Sequence, residues 1–195
     1  PAGLSAAYYL RRLGHASTIF EAMPALGGML RYGIPEFRLP KKILDWEIEG
    51  ILELGVEVKT GVRWGKDLNL GTLKKEGYEI FFIAIGSWAT RKLEVTGEEL
   101  EGVFSGVDFL VDAALGKPVT IGRKVAIIGG GNVAIDAARN CVRMGAEEVT
   151  IIYRRSREEM PASPEEIHGA EEEGVKFHFL AAPVQIFGSN GKVER

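Results

Sequence analysis

The sequence predicts an α/β protein built on two βαβ units of parallel sheet, and three observations predict it. The clearest is a complete unit: an apolar strand Lys124 to Ile128, the turn Gly129-Gly130-Gly131-Asn132, a helix Val133 to Met144, and a second strand Glu148 to Tyr153. Next, the helical stretch Ser5 to Gly14 runs into a short β-type segment, Ala16 to Glu21, which together read as the second half of a similar unit. Last, the run Tyr78 to Ile85 (YEIFFIAI) is almost wholly apolar and bounded by Gly77 and Gly86, as expected of a strand buried on both faces of a sheet. The two units resemble each other, a degenerate internal duplication rather than a short-period repeat.

The elements follow in order. The first helix ends at Gly14, a residue suited to the left-handed C-terminal turn. Residues 22–40 hold too many Gly and Pro for regular structure, and a loop of that length in a compact domain is expected to be functional. Leu44, Ile48, Ile51 and Leu52 then recur at helical spacing from Lys41 to Leu54, closed by Gly55 and followed by a strand, Val56 to Thr60. Between Ser87 and Arg123 the composition changes around one helix, Ser105 to Leu115, and the domain connection is placed there, dividing the chain into residues 1–100 and 101–195. Beyond Tyr153, Pro164 to Glu173 predicts a helix with Pro in its first turn, and Val175 to Leu180 and Val184 to Phe187 predict strands.

Composition excludes several classes of function. With 46% hydrophobic and 26% charged residues the chain reads as globular, and no apolar run approaches the roughly 20 residues needed to cross a bilayer. A net charge of -3 with interspersed signs offers no basic field for nucleic acid, so small anions or other proteins are the expected partners. The single cysteine, Cys141, allows neither an internal disulfide nor an iron-sulfur site, and a reducing, cytoplasmic compartment is expected. Cys141 lacks a C-x-x-C partner and reads as a small buried apolar residue, while His15, His168 and His178 lack metal-ligand spacing.

Gly129, Gly131 and Ala134 occupy the three positions of a G-x-G-x-x-G/A turn between a strand and a helix. The first must turn tightly, the second must leave the backbone bare for a pyrophosphate, and the third must be small where helix meets strand. Asn132 and Val133 then open a helix whose N-terminus faces a dianion. This is the pattern of a Rossmann-like dinucleotide-binding domain. After the second strand, where an NAD-binding unit carries a carboxylate, stand Arg154 and Arg155, suited to pairing with the 2'-phosphate of NADPH. The competing reading is a solvated charged loop, given Glu158 and Glu159 nearby. At the other end, Gly3 fits the third glycine of a like turn whose first two would lie upstream, and Glu21 closes the following strand as a ribose-hydroxyl acceptor, the pattern for FAD or NAD. An acid at one ribose site and arginines at the other imply two different dinucleotides.

The strings EAMPALGGMLRYGIPEFRLPK (residues 21–41), Ala84-Ile85-Gly86 and YRRSREEMPA (residues 153–162) resemble the small-subunit family of NADPH-dependent glutamate synthases and related FAD/NADP oxidoreductases. The resemblance covers nearly the whole chain. It implies an FAD domain, truncated here at both ends, into which an NADPH domain is inserted. It further implies that Gly27, Gly28 and Leu30 pass along the flavin, that Arg38 lies near it, and that Val62 touches the adenine through its backbone. Ala84, Ile85 and Gly86 would form a crossover beside the pyrophosphate, and residues 129–133 with Arg154 and Arg155 would take NADPH. The expected cofactors are FAD and NADPH, with iron-sulfur clusters only in preceding segments or a partner, and the expected partner is a larger synthase subunit or a ferredoxin-type acceptor. Hydride transfer between stacked rings depends on orientation, so no catalytic side chain is assigned. Two other readings stand beside this one: a non-catalytic docking subunit, and an NADP-binding module alone. Disulfide reductase chemistry is disfavoured because no cysteine pair exists.

Overall fold

The computed structural model describes residues 1–194, and the chain divides into two compact units, Pro1–Ser87 and the residues from Trp88 onward. The fold is α/β, with Rossmann-like βαβ sheets.

In the first unit, helix α1 (Ala2–Arg12) buries Leu4 and Ala7 and ends on Arg11 and Arg12, whose charges oppose the helix dipole. Strand β1 (Thr18–Glu21) follows, and after the one-turn helix α2 (Met29–Tyr32) and helix α3 (Lys41–Leu52) the strand β2 (Glu57–Thr60) pairs parallel to β1, with Glu21 opposite Thr60. The core is Leu4, Leu26, Leu44 and Ile48, with Ile19, Leu30, Ile51 and Val58 packed against it. Residues 22–40 contain α2, where the sequence predicted no regular structure. Side chains hold this segment. The buried Tyr32 hydroxyl accepts from Ala25 N at 3.0 Å and donates to Ala25 O at 3.1 Å, and the Lys41 ammonium donates to the carbonyls of Leu30, Ile34 and Leu39. Arg31 reaches Leu26 O and Asp45. All but the Arg31–Asp45 pair satisfy a backbone group that a helix or sheet would otherwise satisfy. A further short helix, α4 (Leu70–Lys75), is fixed by a capping box between Asn69 and Thr72 that the sequence reading did not pick out.

The segment Tyr78 to Ile85 departs from expectation. It forms no strand, and Ile80, Phe82, Ile83 and Ile85 are 63 to 82% exposed. Its start is anchored by Tyr78, whose hydroxyl donates to Thr18 Oγ1 at 3.1 Å and whose ring meets Phe20 edge-on. A strand buried on both faces needs hydrogen-bonded neighbours and covering layers, and the sheet of this unit consists of β1 and β2 alone among the described residues.

In the second unit, α5 (Gly106–Ala114) starts at Ser105, whose hydroxyl accepts from Asp108 N. Strand β3 (Lys124–Ile128), helix α6 (Asn132–Arg143), strand β4 (Glu148–Tyr153), helix α7 (Pro164–Glu172) and strand β5 (Lys176–Phe179) build a parallel sheet of order β3-β4-β5. The register sets Lys124 opposite Glu148 and Thr150 opposite Lys176. Ile135, Ala138, Ile151 and Ala170 are fully buried at its centre, among Phe109, Leu110, Cys141, Val149 and Ile167. Small residues on α6 let it lie close to the sheet. Arg139 on α6 pairs with Glu166 of α7 and with Glu173, which Arg143 also engages. These two guanidiniums hold the Glu173 carboxyl down at about 2. Residues 184–187, predicted as a strand, form no ladder: Gln185 makes an isolated bridge to Thr96 and Phe187 O accepts from Glu194 N, and the hairpin there is β6 (Gly188–Ser189) with β7 (Lys192–Val193).

Candidate functional site

In the second unit the glycine turn joins β3 to α6 in the crevice beyond the carboxyl ends of the parallel strands, where ligands of such sheets sit. Gly129 has φ of 140°, a conformation only glycine adopts without strain, and a Cβ there would meet that of Ala134 at 3.5 Å. Its N–H donates to Ile152 O at 3.1 Å, fixing the turn to β4. Gly131 is the N-cap of α6 with φ of -94° and ψ of 174°, backbone that any residue adopts. A Cβ on it would meet, among the described residues, only Pro161 Cγ at 3.9 Å. Nothing in the packing of the chain therefore requires glycine at 131.

Three helix N-termini converge here. The Val133 side chain lies where a Cβ on Gly106, at the start of α5, would come within 3.2 Å of Cγ1, and Asn132 Oδ1 accepts from Ser163 N, the N-cap of α7, at 3.1 Å. Helices of nine, twelve and nine residues thus begin side by side, and the positive ends of their dipoles add. Arg154 and Arg155, at the end of β4, are exposed; Arg155 lies 4.0 Å from Glu159. Arg157 is paired bidentately with Glu171, which raises its affinity for its proton and lowers that of the carboxylate. Arg157 is thereby committed within the protein, whereas among the described residues Arg154 has no carboxylate within 4 Å.

In the first unit the structure brings several of the other residues into two groups. At the start of α1, a Cβ on Gly3 would lie 3.5 Å from that of Ala84, and one on Gly28 would lie 3.1 Å from Pro1 Cδ. Gly28 has φ of 54° and begins α2. At the end of β1, the carbonyl of Glu21 accepts from Val62 N at 2.9 Å and its carboxylate accepts from Met23 N at 2.8 Å. A helix joined by a short turn to the strand it packs on runs antiparallel to it, so both groups lie at the same end of the sheet. Leu30 is half-buried against the core, and its carbonyl accepts from Lys41 Nζ at 3.1 Å. Arg38 is half-buried with its N–H donating to Pro35 O. Ile85 and Gly86 lie on the exposed segment, Gly86 with φ of 71°.

Within the second-unit site, Gly130 has a packing role that the motif does not assign to it, and Tyr153, which sequence reasoning did not place in the site, joins it. Gly130, at the variable position of the motif, is buried against the ring of Tyr153, and its carbonyl accepts from Ala162 N at 3.1 Å. Tyr153 donates its hydroxyl to Glu159 O at 3.0 Å. The one available signal was a third consecutive glycine where the motif allows any residue. No helix among the described residues is long and apolar enough to cross a membrane.

Comparison with known proteins gives this geometry a setting. Residues 1–195 match the family model described as pyridine nucleotide-disulphide oxidoreductase. The beta subunit of NADP(+)-dependent formate dehydrogenase from Moorella thermoacetica is 48% identical over 197 residues, which span 100% of this chain and 28% of that protein. The small chain of glutamate synthase [NADPH] from Escherichia coli (strain K12) is 35% identical over 205 residues, spanning 99% and 43%. The structure of Mycobacterium tuberculosis FprA in complex with NADPH superposes with a TM-score of 0.81 at 21% identity, over 99% of this chain and 60% of that one, a likeness of fold. The chain spans less than half the length of both of those curated relatives. The resemblance read from the loop strings thus reaches a family and not one member of it.

Proposed function

This chain belongs to the pyridine nucleotide-disulphide oxidoreductase family, and on that premise we propose that it supplies nucleotide sites to a flavin-dependent oxidoreductase that moves a hydride between NADPH and FAD and passes electrons on. The observation that carries the reading is Gly131: bare backbone, unexplained by internal packing, at the meeting point of three helix N-termini. A pyrophosphate fits that place, since it needs close backbone approach and positive dipoles. Arg154 and Arg155 at the end of β4 favour NADPH, because a guanidinium attracts the 2'-phosphate that a carboxylate there would repel.

FAD is proposed for the first unit. Gly3 offers small-residue backbone at the start of α1, and Glu21 with the Val62 backbone offers an acceptor and a donor at the end of β1, a donor set suited to a ribose and an adenine edge. When bound, the flavin supplies the hydride acceptor and the nicotinamide the donor, chemistry that belongs to the cofactors. The task of the chain is to hold and orient both. We further propose that the NADPH domain is inserted into the FAD domain, and that a partner subunit or ferredoxin-type protein with iron-sulfur centres takes the electrons. Both curated relatives bear names that specify one subunit or chain and an NADP nucleotide, which supports that choice.

The test is the visible spectrum of the purified chain after incubation with FAD, followed by anaerobic addition of NADPH. Retained flavin that NADPH bleaches supports the reading. NADPH binding without flavin retention makes this chain an NADP-binding module, and binding of neither nucleotide overturns the assignment.

A further inference from the structure

We propose that Tyr153 is a positioning residue for nucleotide discrimination, clasping the arginine-bearing loop to the glycine turn. The proposal rests on residues 129–133 and Arg154 forming the NADPH site. Residues 154–163 leave the sheet at the end of β4 and return at the start of α7. The returning end is fastened to the turn twice, by Ala162 N donating to Gly130 O at 3.1 Å and by Ser163 N donating to Asn132 Oδ1 at 3.1 Å. Across the base of the loop lies Tyr153. Its ring fills the space above Gly130, and its hydroxyl donates to Glu159 O at 3.0 Å.

Glu159 carries the connection onward. Its carboxylate accepts from Ser156 N at 3.1 Å and from the Ser156 hydroxyl, closing the turn that begins directly after Arg155. On the other side, Leu180 N donates to Arg155 O and Ala181 N to Tyr153 O, each at 3.2 Å. The backbone from which Arg154 and Arg155 depart is therefore fixed through Gly130, Tyr153, Glu159 and Ser156. A guanidinium on a flexible stem binds a phosphate bidentately at lower entropic cost when the origin of its stem is held. Only NADPH carries the 2'-phosphate, so the clasp acts on the difference between NADPH and NADH and not on the binding of the shared pyrophosphate.

The test is Tyr153→Phe in the full chain, with dissociation constants for NADPH and NADH measured beside the thermal midpoint. The phenylalanine keeps the ring on Gly130 and removes only the bond to Glu159. NADPH is expected to weaken about fivefold, the scale of one lost hydrogen bond, with NADH within about twofold of wild type. Tyr153→Leu, which removes the ring as well, is expected to reduce the NADPH-to-NADH ratio further. An unchanged ratio in the phenylalanine variant, or an equal loss for both nucleotides, overturns the proposal. A wild-type chain that binds NADH as tightly as NADPH overturns the underlying assignment of Arg154 and Arg155, and the proposal with it.

Discussion

The ring of Tyr153 occupies the space in which a side chain on Gly130 would begin, with Cδ2 and Cε2 each 2.6 Å from the position of a Cβ. Real Cβ atoms do not approach that closely, and the ring is held by its bond to Glu159. Gly130→Ala is therefore expected to destabilise the second unit by about 1–3 kcal/mol, the usual cost of overpacking. Urea unfolding checks this, and a midpoint equal to wild type would show that the ring moves freely.

Gly131 makes the opposite case one residue away. Its backbone angles suit any residue and a Cβ would meet only Pro161 Cγ at ordinary contact distance among the described residues, so Gly131→Ala is expected to cost no more than about 1 kcal/mol, the scale of exchanging glycine for alanine at a helix N-cap. Nucleotide binding is expected to fall at least tenfold, because the methyl group enters the place proposed for the pyrophosphate. Unfolding and NADPH titration of the same preparation separate the two effects; unimpaired binding would place the phosphates elsewhere.

This contrast bears on what could be read from residues alone. The strand-turn-helix around Gly129 was legible because its signals are local: an apolar run, a glycine turn and a helical period in direct succession. The close approach of Gly130 to Tyr153 was not, since it joins residues 23 positions apart and the motif leaves its second position open. Asn132 stood out as part of the turn, yet its bond to Ser163 depends on where α7 begins. The segment from Tyr78 to Ile85 marks another limit. Its composition reports a capacity for burial, whereas burial itself depends on strands and layers supplied by other residues. Residues 184–187 failed similarly, their β-type side chains meeting one isolated bridge partner and no ladder. The short helix at Leu70 was legible in principle, through Asn69 and Thr72, but its six residues are too few for periodicity to register.

Glu173 ties α6 to α7 through Arg139 and Arg143, and its carboxyl is depressed from 4.5 to about 2. A depressed carboxylate stabilises the fold at pH values above its unfolded pKa, and that contribution is lost as pH falls toward its folded one. Glu173→Gln is expected to lower stability by about 2 kcal/mol near neutrality, the scale of hydrogen bonds to charged groups. The gap to wild type is expected to close between pH 4.5 and about 2. Thermal melts across that range check it, and a gap independent of pH would mean the carboxylate charge contributes nothing.

Burial pushes the Cys141 thiol up to about 11, away from the thiolate form that reacts. A thiol reagent at about pH 8 is expected to leave the native protein unmodified and to label it stoichiometrically in denaturant. Rapid native labelling would contradict the placement of this residue on the buried face of α6, in the core of the second unit.

The most direct measurement of the central claim is a paired titration of the full chain with NADPH and NADH, repeated with Arg154→Ala and Arg155→Ala combined. The wild type is expected to prefer NADPH by about tenfold or more, and the double variant to lose that preference while still binding NADH, since the glycine turn holds the pyrophosphate common to both. Equal affinities in the wild type, or a preference that survives removal of both arginines, would contradict the account.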